Sequence, residues 1–405
     1  MKKRLMKLLR KMQRLNKFSN IKSYLSIALL SLIIGLCGGV VGAAFSHSFT
    51  AVTNLRTAHS WLVFLLPLGG LLTVKIYKLL KTEGLSTDSV LRSLKGDQKV
   101  SPWLLPAVFL SSLLTHLFGG SAGKEGAALQ MGGAVSSLVS KKLELDEDTS
   151  DIGTVCGMSA FFSALFGTPL GASIFATEVV FLKKQTFIRV IPSLISGFTA
   201  YFLAVLLGTH PERFAMELPT FSFPLLWKTG VIILVCSAVC ILFVFALEKS
   251  KELLCKFFKN PYIRIAVGGI LIILLTVIEG SGDYNGGGMN IVEKVFSHND
   301  VKYEAFLLKI IFTAITVAAG FKGGEIVPTF FIGATSGGAL ALLLGVPAPF
   351  GAAIGMAVLF SGATNCPVAT MLLCGEMFGF KGILYFAVAS VIARLLTTKN
   401  RLYNV

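Results

Sequence analysis

Charge is what this chain has least of. Only 14% of its 405 residues are charged, and acidic side chains are scarcer than basic ones, 21 against 37. A soluble chain of this length needs far more charge to cover its surface, so a water-soluble globular enzyme is excluded. Histidine is nearly absent, at 5 residues, and the 7 cysteines stand singly, most of them in apolar runs, with no CxxC or Cys/His spacing. That removes metal and disulfide frameworks as readings and leaves the cysteines as small core residues. Neither a nucleotide loop nor a nucleophile constellation is present, so we expect no enzyme and no cofactor. The net charge of +16 would suit a nucleic-acid binder, but the basic residues cluster at termini and in loops beside apolar stretches, so no nucleic-acid partner is expected.

What is plentiful is apolar sequence, 54% of residues with a mean hydropathy of +0.75. Stretches 24–45, 187–208 and 225–247 reach the roughly 20 residues that cross a bilayer; 61–72 and 263–278 are shorter. Segments 127–139, 153–166, 329–344 and 352–362 are shorter still in unbroken apolar character and rich in Gly, Ala and Ser. Such composition predicts tilted or re-entrant helices packed inside protein, because lipid cannot satisfy a broken backbone. The basic arm, residues 1–22, has no cleavage site of small residues and is therefore expected to be a cytoplasmic surface arm rather than a signal peptide. The expected location is the cell membrane.

Two stretches about 200 residues apart read as copies. Gly123-Lys124-Glu125-Gly126 runs on to Gly133-Ala134, and Gly323-Gly324-Glu325-Ile326-Val327-Pro328 runs on to Gly333-Ala334. Further along, Gly157-Met158, Phe162-Ser163, Pro169 and Glu178 fall on Gly355-Met356, Phe360-Ser361, Pro367 and Glu376, with a slip of two residues. Two such units, each with glycine-broken helices and an intramembrane carboxylate, predict an all-α multi-pass membrane transporter built from two repeats, with its site at the repeat interface. We place the first repeat at about 23–208 and the second at about 221–405, joined by a polar link at 210–218, with no regulatory domain after the last helix.

Glycine-rich entries to helices offer unpaired backbone N–H groups and a positive dipole end, and two of them aimed at one point would hold an anion. Glu125 would compete for those donors and would leave when protonated, which couples anion to proton. A carboxylate inside a span is costly enough that function is its default reading. Glu325 is either a second participant or a cap on its own helix. Glu178 and Glu376 sit near helix ends and read equally as structural or as proton-conducting. Ser86 and Thr87 are readable as caps of a helix beginning at Asp88, and His116 as a hydrogen-bonded core histidine.

These residues carry a resemblance. Gly123-Lys124-Glu125-Gly126-Ala127 resembles the GKEGP or GREGP motif of the CLC chloride channels and proton-coupled halide antiporters, with Ala127 in place of proline. Gly324-Glu325-Ile326-Val327-Pro328 is similar to the GxFxP motif, and Phe166-Gly167-Thr168-Pro169-Leu170 to the segment before the inner proton-handling helix. Tyr403 falls where the pore tyrosine lies, and Glu83-Gly84-Leu85-Ser86 weakly resembles GSGIP. The resemblance runs from about residue 30 to 403 and implies a homodimer in the lipid bilayer, each subunit with its own pore between inverted-topology repeats of broken and re-entrant helices. It implies chloride or fluoride transport, with Glu125 as external gate and proton acceptor. The implied anion-binding groups lie at Ser86, Thr87, Gly123, Lys124, Gly126, Ile326, Val327 and Tyr403. Glu325 resembles the acidic residue of the fluoride-transporting branch, whereas Ser86 and Val327 depart from that branch. The family's internal glutamate position falls on Val179, which keeps a passive, voltage- or pH-gated chloride channel as the alternative to proton-coupled antiport.

Overall fold

A computed structural model of the chain describes residues 21–94, 100–180, 186–298, 300–398 and 402. Tyr403 and residues 1–20 of the basic arm lie outside the described residues. Among those described, the fold is helical throughout, an arrangement that satisfies the backbone of apolar segments in lipid within each segment.

Eight helices occupy the first half: α1 (Ile21–Ala58), α2 (Leu66–Leu79), α3 (Thr87–Ser93), α4 (Leu104–Leu117), α5 (Glu125–Lys142), α6 (Glu147–Phe166), α7 (Pro169–Glu178) and α8 (Thr186–Leu206). Among the described residues eight more follow, again opening on the longest of the half: α9 (Phe223–Phe257), α10 (Pro261–Glu279), α11 (Met289–His298), α12 (Ala305–Ala319), α13 (Ile326–Leu343), α14 (Ala348–Thr364), α15 (Pro367–Phe378) and α16 (Ile383–Leu396). This is the fold of two inverted repeats with broken helices.

Among the described residues six segments are long and apolar enough to cross a membrane, where sequence alone suggested three: Tyr24–Ala58, Ser60–Leu79, Ile188–Leu206, Phe223–Phe257, Pro261–Glu279 and Ile326–Leu343. The difference has two causes. The stretches read as 61–72 and 263–278 continue as helix past their apolar runs, the first through Lys75 and Lys78 to Leu79 and the second to Pro261–Glu279. In α13 the small residues that shorten the apolar reading are helical and buried.

The interior is organised by small residues. Helices α6 and α14 are buried along almost their whole length, each packed on a glycine-rich partner, α5 and α13 respectively. A Cβ on Gly132 would strike the backbone of Gly157, and one on Gly333 the backbone of Gly355, so both helix pairs touch main chain to main chain. Close backbone approach replaces the hydrophobic drive that lipid does not supply. Conversely, the outer helices turn apolar side chains outward: Leu206, Phe223 and Ile278 are each 81% exposed.

Helix ends follow local rules that the two halves share. Gly167 and Asn365 close α6 and α14 in the left-handed region (φ 68° and 61°), and Pro169 and Pro367 open the next helices. Glu178 then accepts from Val368 N (3.3 Å) and Ala369 N (2.7 Å) at the start of α15. Glu376 accepts from Leu170 N (3.0 Å) and Gly171 N (2.8 Å) at the start of α7. The capping role is therefore occupied in the structure, and each partner lies in the other half of the chain.

Candidate functional site: two helix N-termini meeting at Glu125

The two glycine-rich loops meet in the middle of the protein. Gly123 N donates to Gly324 O and Gly324 N to Gly123 O, both at 2.7 Å, forming an antiparallel bridge between the halves. The glycines permit this approach. A Cβ on Gly126 would sit 2.9 Å from Gly324 Cα, and Cβ atoms on Gly123 or Gly324 would run into the Glu125 carboxylate.

Glu125 is the first residue of α5 and is fully buried. Its Oε1 accepts from Lys124 N at 2.9 Å, and its Oε2 accepts from Val327 N at 3.0 Å. Val327 lies in the first turn of α13, whose next residue, Pro328, has no N–H to give. The carboxylate thus sits on the positive end of a helix from the opposite half, where an anion would bind.

Lys124 lies beside it, its Nζ 2.9 Å from Glu212 Oε1 and facing the rings of Phe49 (5.9 Å) and Phe166 (5.5 Å). Glu212 belongs to the polar link, which is held in place by Glu212 N to Phe166 O (3.1 Å) and Phe214 N to Met377 O (3.0 Å). Nearby, Phe162 and Phe166 of α6, Phe175 of α7, Phe330 of α13 and Phe360 of α14 form a continuous buried aromatic wall, with centroids 4.5–6.1 Å apart. Aromatic faces offer no hydrogen-bond donor, which leaves the polar work to the backbone.

The remaining predicted residues divide. Gly123, Lys124, Gly126, Ile326 and Val327 converge on Glu125. Ser86 is exposed and stands immediately before α3, which begins at Thr87 rather than Asp88; its N–H donates to Ser89 Oγ at 3.2 Å. Thr87 is buried and its Oγ1 accepts from Gln130 Nε2 of α5 at 3.3 Å, which links α3 to the helix headed by Glu125. Glu325 precedes α13 without capping it by a side-chain hydrogen bond. Instead it lies within electrostatic reach of Asp88, Lys251 and Lys322, and Lys322 Nζ stands 4.2 Å from the centre of the Tyr77 ring.

Sequence reasoning passed over three side chains that the site uses. Glu212 pairs with Lys124 across 88 positions, and no local pattern announces that. Gln130 is the one amide in a run of small and apolar residues, with Oε1 buried and unpartnered. Lys309, fully buried in α12, donates to Tyr284 O (3.1 Å) and Gly286 O (2.6 Å), fastening the glycine loop whose Gly287 lies against Val327. A lone lysine within an apolar helix was the available signal.

Comparison with known proteins agrees with this architecture. The family model described as "Voltage gated chloride channel" matches residues 69–398. The chain is 29% identical over 387 residues to the "Chloride/fluoride channel protein" of Pseudomonas syringae pv. tomato, covering 93% of this chain and 85% of that protein. It is 25% identical over 407 residues to the "H(+)/Cl(-) exchange transporter ClcA" of Vibrio cholerae serotype O1, covering 90% and 84%. Among solved structures, a CLC-type fluoride/proton antiporter superposes with a TM-score of 0.90 at 31% identity, covering 95% of this chain and 98% of that one. A slow cyanobacterial Cl⁻/H⁺ antiporter superposes with a TM-score of 0.79 at 20% identity over 92% and 94%, a likeness of fold. With the family model spanning residues 69–398, the chain belongs to the voltage gated chloride channel family.

Proposed function

We propose that this protein carries halide, chloride or fluoride, across the cell membrane in exchange for protons, with Glu125 as the moving gate. One observation carries the reading: the Glu125 carboxylate is seated on Val327 N–H at the N-terminus of α13, so anion and carboxylate compete for one donor. Protonation removes the charge that holds the side chain there, and the neutral acid leaves the donor free for a halide. The backbone groups of Ile326 and Val327, with Lys124, Gly123 and Gly126, line the anion path, and the family resemblance adds Thr87, Ser86 and Tyr403 to it.

Fluoride as cargo is supported by Glu325 and by similarity to a fluoride/proton antiporter. Fluoride holds its water tightly and needs strong donors; a protonated Glu325 supplies one. A homodimer with the basic arm in the cytoplasm, and a boundary between the halves at the 210–218 link, complete the proposal.

The deciding experiment uses purified protein in liposomes, with anion efflux measured alongside proton movement against an imposed gradient. Uphill proton movement supports antiport, and Glu125→Gln should abolish it while anion flux continues. Anion flux without protons in the unmodified protein would favour the second reading, a passive channel. The observation behind that alternative is Val179, an apolar residue at the inner end of α7 where the family carries a carboxylate.

A further inference from the structure

His116 lies in the last turn of α4, nine positions before Glu125, and is 1% exposed. Both of its ring nitrogens face carbonyl oxygens: Nδ1 is 2.8 Å from Ser112 O, and Nε2 is 2.8 Å from Ala122 O. A neutral imidazole has one N–H and one lone pair, and a carbonyl oxygen can only accept. One of the two contacts would then set lone pair against lone pair, so both can be hydrogen bonds at once only in an imidazolium donating twice.

The second acceptor is what gives this chemistry a purpose. Ala122 immediately precedes Gly123, whose N–H and C=O form the bridge to Gly324. The imidazole also packs against Phe49 (4.2 Å between centroids, the planes tilted by 56°), the ring that faces Lys124. The charged groups that act on the ring are Arg56 at the end of α1 and Lys309 in α12, both cations. Both cations, like burial, work against a charged ring, and only the two carbonyl oxygens favour the imidazolium.

We propose that His116 is a second proton-holding group beside the gate, a positioning residue whose imidazolium ties Ser112 O to Ala122 O and so fixes the loop that carries Glu125. When the proton leaves, one nitrogen presents a lone pair to its carbonyl, the span from Ser112 O to Ala122 O is broken at one end, and the donor array around Glu125 loosens. This deepens the transport reading and rests on it for its consequence, although the protonation state itself does not.

Two measurements test it. In full-length protein labelled with ¹⁵N-histidine and held in lipid, the His116 ring should show two N–H groups at the acid end of roughly pH 5 to 8 and one at the basic end. A single neutral tautomer throughout would overturn the proposal, whatever the transport assays give. In the Glu125→Gln background, where the gate no longer titrates, anion flux should still fall as pH rises. We expect a change on the order of tenfold, the worth of one charge-assisted hydrogen bond, and it should vanish in Glu125→Gln/His116→Gln. A pH profile of Glu125→Gln left unaltered by the second substitution would refute the positioning role. Absence of coupled proton movement in the unmodified protein would instead count against antiport, with the spectroscopic result still deciding the state of His116.

Discussion

Glu178 and Glu376 each close the N-terminus of the helix that carries the other near its C-terminal end. Each carboxylate takes two N–H groups that have no partner inside their own helix, in an arrangement that also places negative charge at a positive dipole end.

Replacing either glutamate with alanine should cost about 1–2 kcal/mol, the usual value of an N-cap. Thermal unfolding in detergent would register it as a lower Tm for each variant. Glutamine keeps an acceptor oxygen, so Glu178→Gln and Glu376→Gln should retain uphill proton movement in liposomes. Loss of coupling in either glutamine variant would place that residue on a proton route instead.

Gly126 faces Gly324 Cα at a distance that a side chain would fill at 2.9 Å. Gly126→Ala must therefore push the two helix N-termini apart, at an overpacking cost of about 1–3 kcal/mol. Folded, membrane-inserted protein with anion flux reduced at least tenfold is the expected result, tenfold being the equivalent of about 1.4 kcal/mol in a barrier. Unchanged flux would mean that the separation of α5 and α13 is not critical.

Glu212 neutralises Lys124 beside the gate, with both side chains mostly shielded (18% and 13% exposed). Glu212→Gln frees that positive charge at the mouth, so anion entry from that side should speed up a few-fold at low salt. The gain should shrink as ionic strength rises past about 0.1 M, where the Debye length is about 10 Å. A salt-independent change would point to displacement of the 210–218 link.

Glu325 should distinguish the two halides. Glu325→Gln keeps a donor and should retain part of any fluoride preference, whereas Glu325→Ala should lose it. Flux ratios from halide-specific electrodes on the same liposomes provide the comparison. Equal preference in both variants would remove Glu325 from selectivity.

The meeting of Glu125 with α13 was legible because the repeat is. Two copies of a glycine-flanked carboxylate in opposite orientations have to bring their helix starts together. Periodicity and composition likewise placed α5, α6, α13 and α14 inside the protein. What could not be read was pairing at long range: Glu178 finds its partners 190 and 191 positions away, and Glu212 finds Lys124 in a different element. Spacing along a chain carries no trace of such contacts. His116 was visible as a buried histidine, but the second carbonyl that changes its meaning depends on how the Ala122 peptide turns, a tertiary detail.

The reciprocal caps also bear on how such a chain could have arisen. One half alone would present a helix with its first N–H groups unmet and, at the other end of that helix, a carboxylate with nothing to hold. A second copy inserted the opposite way up would satisfy both at once, as would its Gly123–Gly324 type of bridge. The present chain is thus a covalently fused antiparallel pair, in which a substitution at Glu178 is felt first in the half that does not contain it.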